Sequence, residues 1–120
     1  MKNFRDLKVW NKGYELVLAI YKLSRHFPSD EKFGLTQQIR RAAVSVIANI
    51  AEGNKRKSSK DFKHFLNISE GSLEEVKCYL ILSRDLGYIK VADYNNSFII
   101  SEELGKMLSG FIKKLTAYSL

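Results

Sequence analysis

The densest run of charge in the sequence is NKRKSSKDFK, Asn54 to Lys63, where Lys55, Arg56, Lys57, Lys60 and Lys63 are opposed only by Asp61. Cations spaced this way across a turn can meet successive phosphates of a nucleic acid. Each phosphate neutralised releases condensed counterions, so the affinity falls steeply with salt. The same run also reads as a solvated loop flanked by helix-end charges. Arg40 and Arg41 form a second basic pair, for which phosphate contact and pairing with a Glu or Asp of another helix are both open.

Other chemistry has little to build on. A di-iron site in a helical bundle needs several inward carboxylates and two Glu-x-x-His pairs. The sequence offers only Asp61 and His64 at that spacing, on the side away from Phe62 and Leu66, with His26 elsewhere. Cys78 has no neighbouring His and lies between apolar residues, so a buried, unreactive thiol is expected. Ser45 and Ser72 lack a recognisable base. Gly71-Ser72 and Gly105 interrupt helical patterns and read as sites of close helix packing, not as a phosphate cradle. No catalysis, metal or cofactor is expected.

The elements that must position these residues are helical. There is one proline among 120 residues, and apolar residues recur at three and four, not two. In the first helix Leu7, Trp10, Tyr14, Val17 and Tyr21 mark the expected buried stripe, widened by Leu18 and ended at FPSD. The second is expected to start at Ser29 or Asp30 and stop at Gly53. Ser58 and Asp61 have the spacing of a cap for the third, whose buried face is Phe62, Phe65, Leu66, Leu73, Val76 and Leu80, with Leu86-Gly87 as its stop. The fourth covers about Ala92 to Ala117 and carries Tyr94, Phe98, Leu108, Ile112 and Leu115, with Ile100, Leu104, Met107 and Phe111 beside them on a broad apolar face. Short connections predict an all-α, up-down-up-down antiparallel four-helix bundle, with residues 1–120 as a single domain.

The second helix carries two apolar faces. At 100° per residue, Leu35, Ile39, Ala43, Val46 and Ile50 form the core side, flanked by Ala42 and Ile47. Val44, Ala48 and Ala51 lie nearly opposite, where a monomer's surface helix usually holds Lys and Glu. Gln38, Arg41, Ser45, Asn49 and Glu52 form a polar strip between them. This pattern predicts self-association through Val44, Ala48 and Ala51, with Ser45 and Asn49 fixing register. Scattered exposed apolar residues are the alternative. For Asn49 and Glu52 a structural role, satisfied by backbone or by a neighbouring protomer, is expected over the alternative of facing a ligand or an RNA base.

Three stretches, FRDLKVW, YKLSRHFPSDEKFGLTQQIRRAAVSVIANIAEG and FLNISEGSLEEVKCYL, resemble the bacterial 23S rRNA intervening-sequence proteins over nearly the whole chain. The resemblance implies a small helical bundle, similar to the accessory variability determinant protein of diversity-generating retroelements. That relative forms a five-membered barrel with a basic surface and associates with a reverse transcriptase and nucleic acid. A homopentamer is therefore what the resemblance implies; composition and periodicity give no subunit number. Arg40, Arg41, Glu52 and Gly53 fall in the shared motif, whereas Lys55 to Lys57 lie in a more variable turn.

A net charge of +7 favours polyanionic partners. One cysteine and no leader-like opening point to a reducing, cytoplasmic setting, and the apolar runs are too short to span a membrane. The expected function is that of a non-enzymatic homo-oligomer binding RNA or DNA through its basic surface. The alternative is a scaffold that docks a protein partner such as a nucleic-acid enzyme.

Overall fold

A computed structural model describes residues 3–118. Its long elements are α1 (Lys8–Ser24), α2 (Leu35–Asn54), α3 (Ser59–Asp85) and α4 (Val91–Tyr118), with single 3-10 turns at Phe4–Asp6 and Ser29–Glu31. Among the described residues there is no strand.

The helix ends follow local chemistry. Ser58, in extended backbone, accepts the Asp61 amide at 3.1 Å and opens α3 as its spacing predicts. Gly87 closes it at φ 76°, the left-handed region that a residue with a Cβ enters only with strain. The expected start of α2 is corrected. Ser29 and Asp30 belong to a separate turn, and α2 begins at Leu35, whose amide donates to Glu31 Oε1 at 3.1 Å. A longer carboxylate, reaching forward from the turn before, replaces the short polar cap read from the sequence.

The second oxygen of Glu31 accepts from the Tyr88 hydroxyl at 2.9 Å, and the Tyr88 ring meets Phe27 at 5.6 Å. One carboxylate therefore joins the α1–α2 connection to the α3–α4 loop. The Tyr88 phenol is held above its usual range, first by that hydrogen bond, then by burial and by the charges of Glu31 and Asp30. A raised folded-state value means that its stabilisation is complete below the unfolded phenol's pKa of about 10 and is lost as pH rises through the folded value. The stability gap between the parent and Tyr88→Phe is expected to be constant up to that pH and to narrow above it. Urea unfolding of both chains at neutral and alkaline pH measures the gap; a gap that widens with alkali contradicts the assignment.

The helices pack in cyclic order, α1 on α2, α2 on α3, α3 on α4 and α4 on α1. Pairings across the seams run in opposite directions along each pair. Ser24 meets Arg40 between α1 and α2; Val46 meets Ser69 and Gly53 meets Phe62 between α2 and α3; Lys77 meets Glu102 and Lys63 meets Thr116 between α3 and α4. Lys12 on α1 reaches Glu103 on α4 at 2.8 Å. The arrangement is that of an antiparallel four-helix bundle.

Leu35, Ile39, Ala43, Val46 and Ile50 are all buried, as their periodicity predicts, and face Leu66, Leu73, Val76 and Leu80 of α3 and Leu104 and Leu108 of α4. The stripe expected on α1 is corrected. Tyr14, Leu18 and Tyr21 are exposed, and the face turned inward is Val9, Gly13, Leu16, Val17, Ile20 and Leu23. Both stripes have helical spacing. The inner one is chosen because Gly13 lets α1 lie against Ile47 of α2: a Cβ there would sit 2.6 Å from Ile47 Cγ2.

Three further readings change. Cys78 is exposed, because Val76 and Leu80 take the inward positions on either side of it. Gly71 has nothing within 4 Å of a notional Cβ and Gly105 makes only ordinary contacts, so close packing belongs to Gly13 and Gly53. Buried serines, unmarked in the sequence, complete the core. Ser69 donates to the Val46 carbonyl across the α2–α3 seam at 2.8 Å, and Ser101 donates to the Ser97 carbonyl one turn back.

Candidate nucleic-acid interface

The α2–α3 turn owes its form to Gly53 and Ser58. A Cβ on Gly53 would lie 2.8 Å from Phe62 Cδ1 and 2.9 Å from Phe65 Cβ, so only glycine allows α2 to end this close to the start of α3. Ser58 then starts α3 after a connection of a few residues. Lys55, Arg56, Lys57 and Lys60 are exposed around this turn and Lys63 is half-buried, with its ammonium 3.4 Å from Thr116 Oγ1. Arg56 is partly engaged: it pairs with Glu52 and its guanidinium lies 4.7 Å from the Phe65 ring centre.

The antiparallel order brings other cations to the same end. Lys8 and Lys114 line one cleft beside Phe111 and Leu115. Phe4 and Asn3 line another with Lys55 and Lys57. The contact of Lys63 with Thr116 brings Lys113 and Lys114 alongside the start of α3. Arg5, Lys8, Lys55, Arg56, Lys57, Lys60, Lys63, Lys113 and Lys114 thus share one end of the molecule with the acids Asp6, Glu52 and Asp61, and Lys113 at its margin also lines a cleft with Glu70, Glu74 and Glu102. Most other carboxylates of α3 and α4, such as Glu70, Glu74, Glu102 and Glu103, lie at mid-length. Arg5, Lys8, Lys113 and Lys114 escape sequence reasoning because they are scattered or paired, and only helix direction gathers them.

Arg40 and Arg41 do not join this pole. They lie near the other end of α2, about 20 Å away at 1.5 Å per residue. Pairing with a carboxylate, one of the two readings, is not what they do. Arg40 Nε donates to Ser24 Oγ at 2.7 Å with its guanidinium 4.7 Å from the Tyr21 ring centre. Arg41 is exposed and makes no ion pair among the described residues.

Val44 and Ala48 are exposed and Ala51 is half-buried. They do not stand alone: Phe4 lines a cleft with Ala48 and Ala51, Trp10 meets Phe4 at 5.0 Å and stacks on Tyr14 at 5.2 Å, and Tyr21 shares a cleft with Val44. The outward residues of α1 extend the apolar face of α2. Ser45 turns to α3, and Asn49 turns back to Ser45. Ser45 Oγ is 2.8 Å from Ser72 Oγ, and Asn49 Nδ2 donates to the Ser45 carbonyl at 2.8 Å. Glu52 is paired with Arg56 on its own helix.

No cluster of three or more potential metal-ligating His, Cys, Asp or Glu side chains occurs among the described residues. No described helix is long and apolar enough to cross a membrane. What the fold presents is a small four-helix protein whose salient surfaces are a basic pole and an apolar flank.

The family model for the 23S rRNA-intervening sequence protein matches residues 5–110, and the chain belongs to that family. It is similar to a crystal structure of a protein of unknown function from the S23 ribosomal protein family of Bacteroides thetaiotaomicron. The match has a TM-score of 0.81 and 30% identity, and covers 88% of this chain and 98% of that one. No curated protein matches the chain.

Proposed function

We propose that this protein is a non-enzymatic, cytoplasmic homo-oligomer that binds the backbone of RNA or DNA through its basic pole. The observation that carries the reading is the gathering of Lys and Arg from α1, the α2–α3 turn and the end of α4 onto one surface with few acids. Such a surface attracts phosphates without reading sequence. Binding of the wild-type chain to a structured RNA at low and moderate salt tests it. A steep fall in affinity with salt is expected, and undetectable or salt-independent binding overturns the reading.

Self-association would repeat the pole around a symmetric particle and multiply its field. The apolar flank of Tyr14, Val44, Ala48 and Ala51 supports it, and the retroelement relative implies five copies. Light scattering is expected to give a multiple of the 13.8 kDa chain mass. Ala48→Glu, which places a charge in the flank, is expected to return the particle to a single chain with its helix content unchanged. A wild-type mass of one chain at high concentration removes this part of the proposal.

A second reading, a scaffold that docks a protein partner, has its own support. Leu82, Leu86 and Val91 are exposed at 46%, 48% and 66% around the α3–α4 loop, far from the basic pole. A pull-down that survives nuclease treatment favours this reading.

A further inference from the structure

At the end of α2 opposite the basic pole, an open cleft of about 600 Å³ lies against the last turns of α1. Tyr21, Lys32, Phe33, Arg40 and Arg41 line it together with Val44, the near end of the apolar flank, and no carboxylate does. Phe33 is 80% exposed, whereas Phe27, six residues earlier, is buried. Water is a poor neighbour for a bare phenyl ring.

Phe33 is not displayed by a slack loop. The amides of Glu31, Lys32 and Gly34 donate to the carbonyls of Pro28, Ser29 and Glu31 at 3.0, 3.1 and 3.0 Å. Glu31 is fixed at both carboxylate oxygens, by the Leu35 amide and the Tyr88 hydroxyl. The Lys32 ammonium lies 5.4 Å from the Phe33 ring centre, over one face. Across the cleft Arg40 is held by Ser24 Oγ and the Tyr21 ring, with its terminal nitrogens free of hydrogen bonds among the described residues. A ring presented rigidly, with cations beside it and no acid, matches a ligand that is both planar and anionic.

We propose that this cleft binds an unpaired segment of nucleic acid, with a base stacked on Phe33 and the adjoining phosphates held by Lys32, Arg40 and Arg41. The inference rests on the nucleic-acid reading and adds to it a preference for single strands, because base pairs within a duplex do not expose a face to such a ring. The basic pole supplies backbone attraction for any nucleic acid; the cleft discriminates.

Fluorescence anisotropy with an oligouridine of about ten nucleotides, within the usual span of single-strand sites, and with an RNA duplex of equal length tests it. Phe33→Ala is expected to weaken oligouridine binding about tenfold, the scale of one lost base stack, and to leave duplex binding and the salt slope unchanged. Phe33→Tyr is expected to keep the affinity. Arg41→Gln is expected to lower the salt slope for oligouridine by about 0.7, the share of one phosphate contact on a single strand. Circular dichroism verifies that the variants are folded.

Oligouridine affinity unchanged in Phe33→Ala, with the wild type binding the duplex, overturns the cleft and leaves the basic pole standing. Wild-type protein that binds neither probe overturns both. A loss of particle mass in Phe33→Ala without loss of oligouridine affinity assigns Phe33 to a contact between copies of the chain, which also overturns the proposal.

Discussion

Gly53→Val is expected to destabilise the protein by about 2–3 kcal/mol, the cost of forcing extra methyl groups into a filled seam. The first added carbon would already fall 2.8 Å from Phe62 Cδ1 and 2.9 Å from Phe65 Cβ. The second contact cannot be relieved by a rotamer change, because a Cβ is bonded directly to the backbone. α3 itself must move. The gain in helix propensity on leaving glycine is below about 1 kcal/mol and does not offset this. Gly71→Ala is the counterpart: nothing lies within 4 Å of its notional Cβ, so propensity alone acts and a gain of up to about 1 kcal/mol is expected. Urea unfolding followed by circular dichroism reads both. Equal effects at the two positions would contradict the close approach at Gly53. The change also bears on function, because the α2–α3 turn that presents Lys55 to Lys60 is anchored at this glycine.

The second large effect is on binding. Replacing Lys55, Arg56, Lys57, Lys60 and Lys63 with glutamine is expected to lower the slope of log affinity against log salt by about two to four, as each phosphate contact contributes somewhat under one. At low salt this amounts to a loss on the order of a hundredfold or more. The revealing comparison is Arg5, Lys8, Lys113 and Lys114 replaced together, leaving NKRKSSKDFK intact. These four belong to the same pole through the packing of α1 and α4, and their removal is expected to lower the slope to a similar degree. If only the local run matters, the second variant binds as the parent does, and the assembled pole is not the binding surface. Arg56 is expected to contribute least within its set, since Glu52 and the Phe65 ring already engage it.

Much of the fold is legible in the sequence because it depends on neighbours along one helix. The period of Leu35, Ile39, Ala43, Val46 and Ile50 marks a core face whatever packs on it, and these residues are buried. Ser58 accepts the amide three residues on, and Gly87 takes the left-handed turn, through interactions that span a few bonds. Family membership is likewise carried by residue order, in motifs such as QIRRA and NIAEG.

The readings that fail needed a partner from elsewhere in the chain. Two stripes on α1 had helical spacing, and the choice between Tyr14-Leu18-Tyr21 and Gly13-Leu16-Ile20 was made by Ile47 of α2. The start of α2 was settled by Glu31, a side chain that also answers to Tyr88, distant in sequence. Ser45 meets Ser72 across the α2–α3 seam and Asn49 donates back to Ser45, contacts that spacing along one helix does not reveal and that leave their expected part in a contact between copies untested.

By itself, then, the sequence determined which segments are helices, which side of α2 is inward, where the local cations cluster and to which family the chain belongs. Tertiary structure alone decided that Arg5, Lys8, Lys113 and Lys114 stand with that cluster, that Arg40 and Arg41 do not, and that Phe33 is left bare beside them. The reason is one of range. Helical periodicity is written over three or four residues, whereas a surface field or a cleft sums groups whose separation depends on how antiparallel helices are laid side by side.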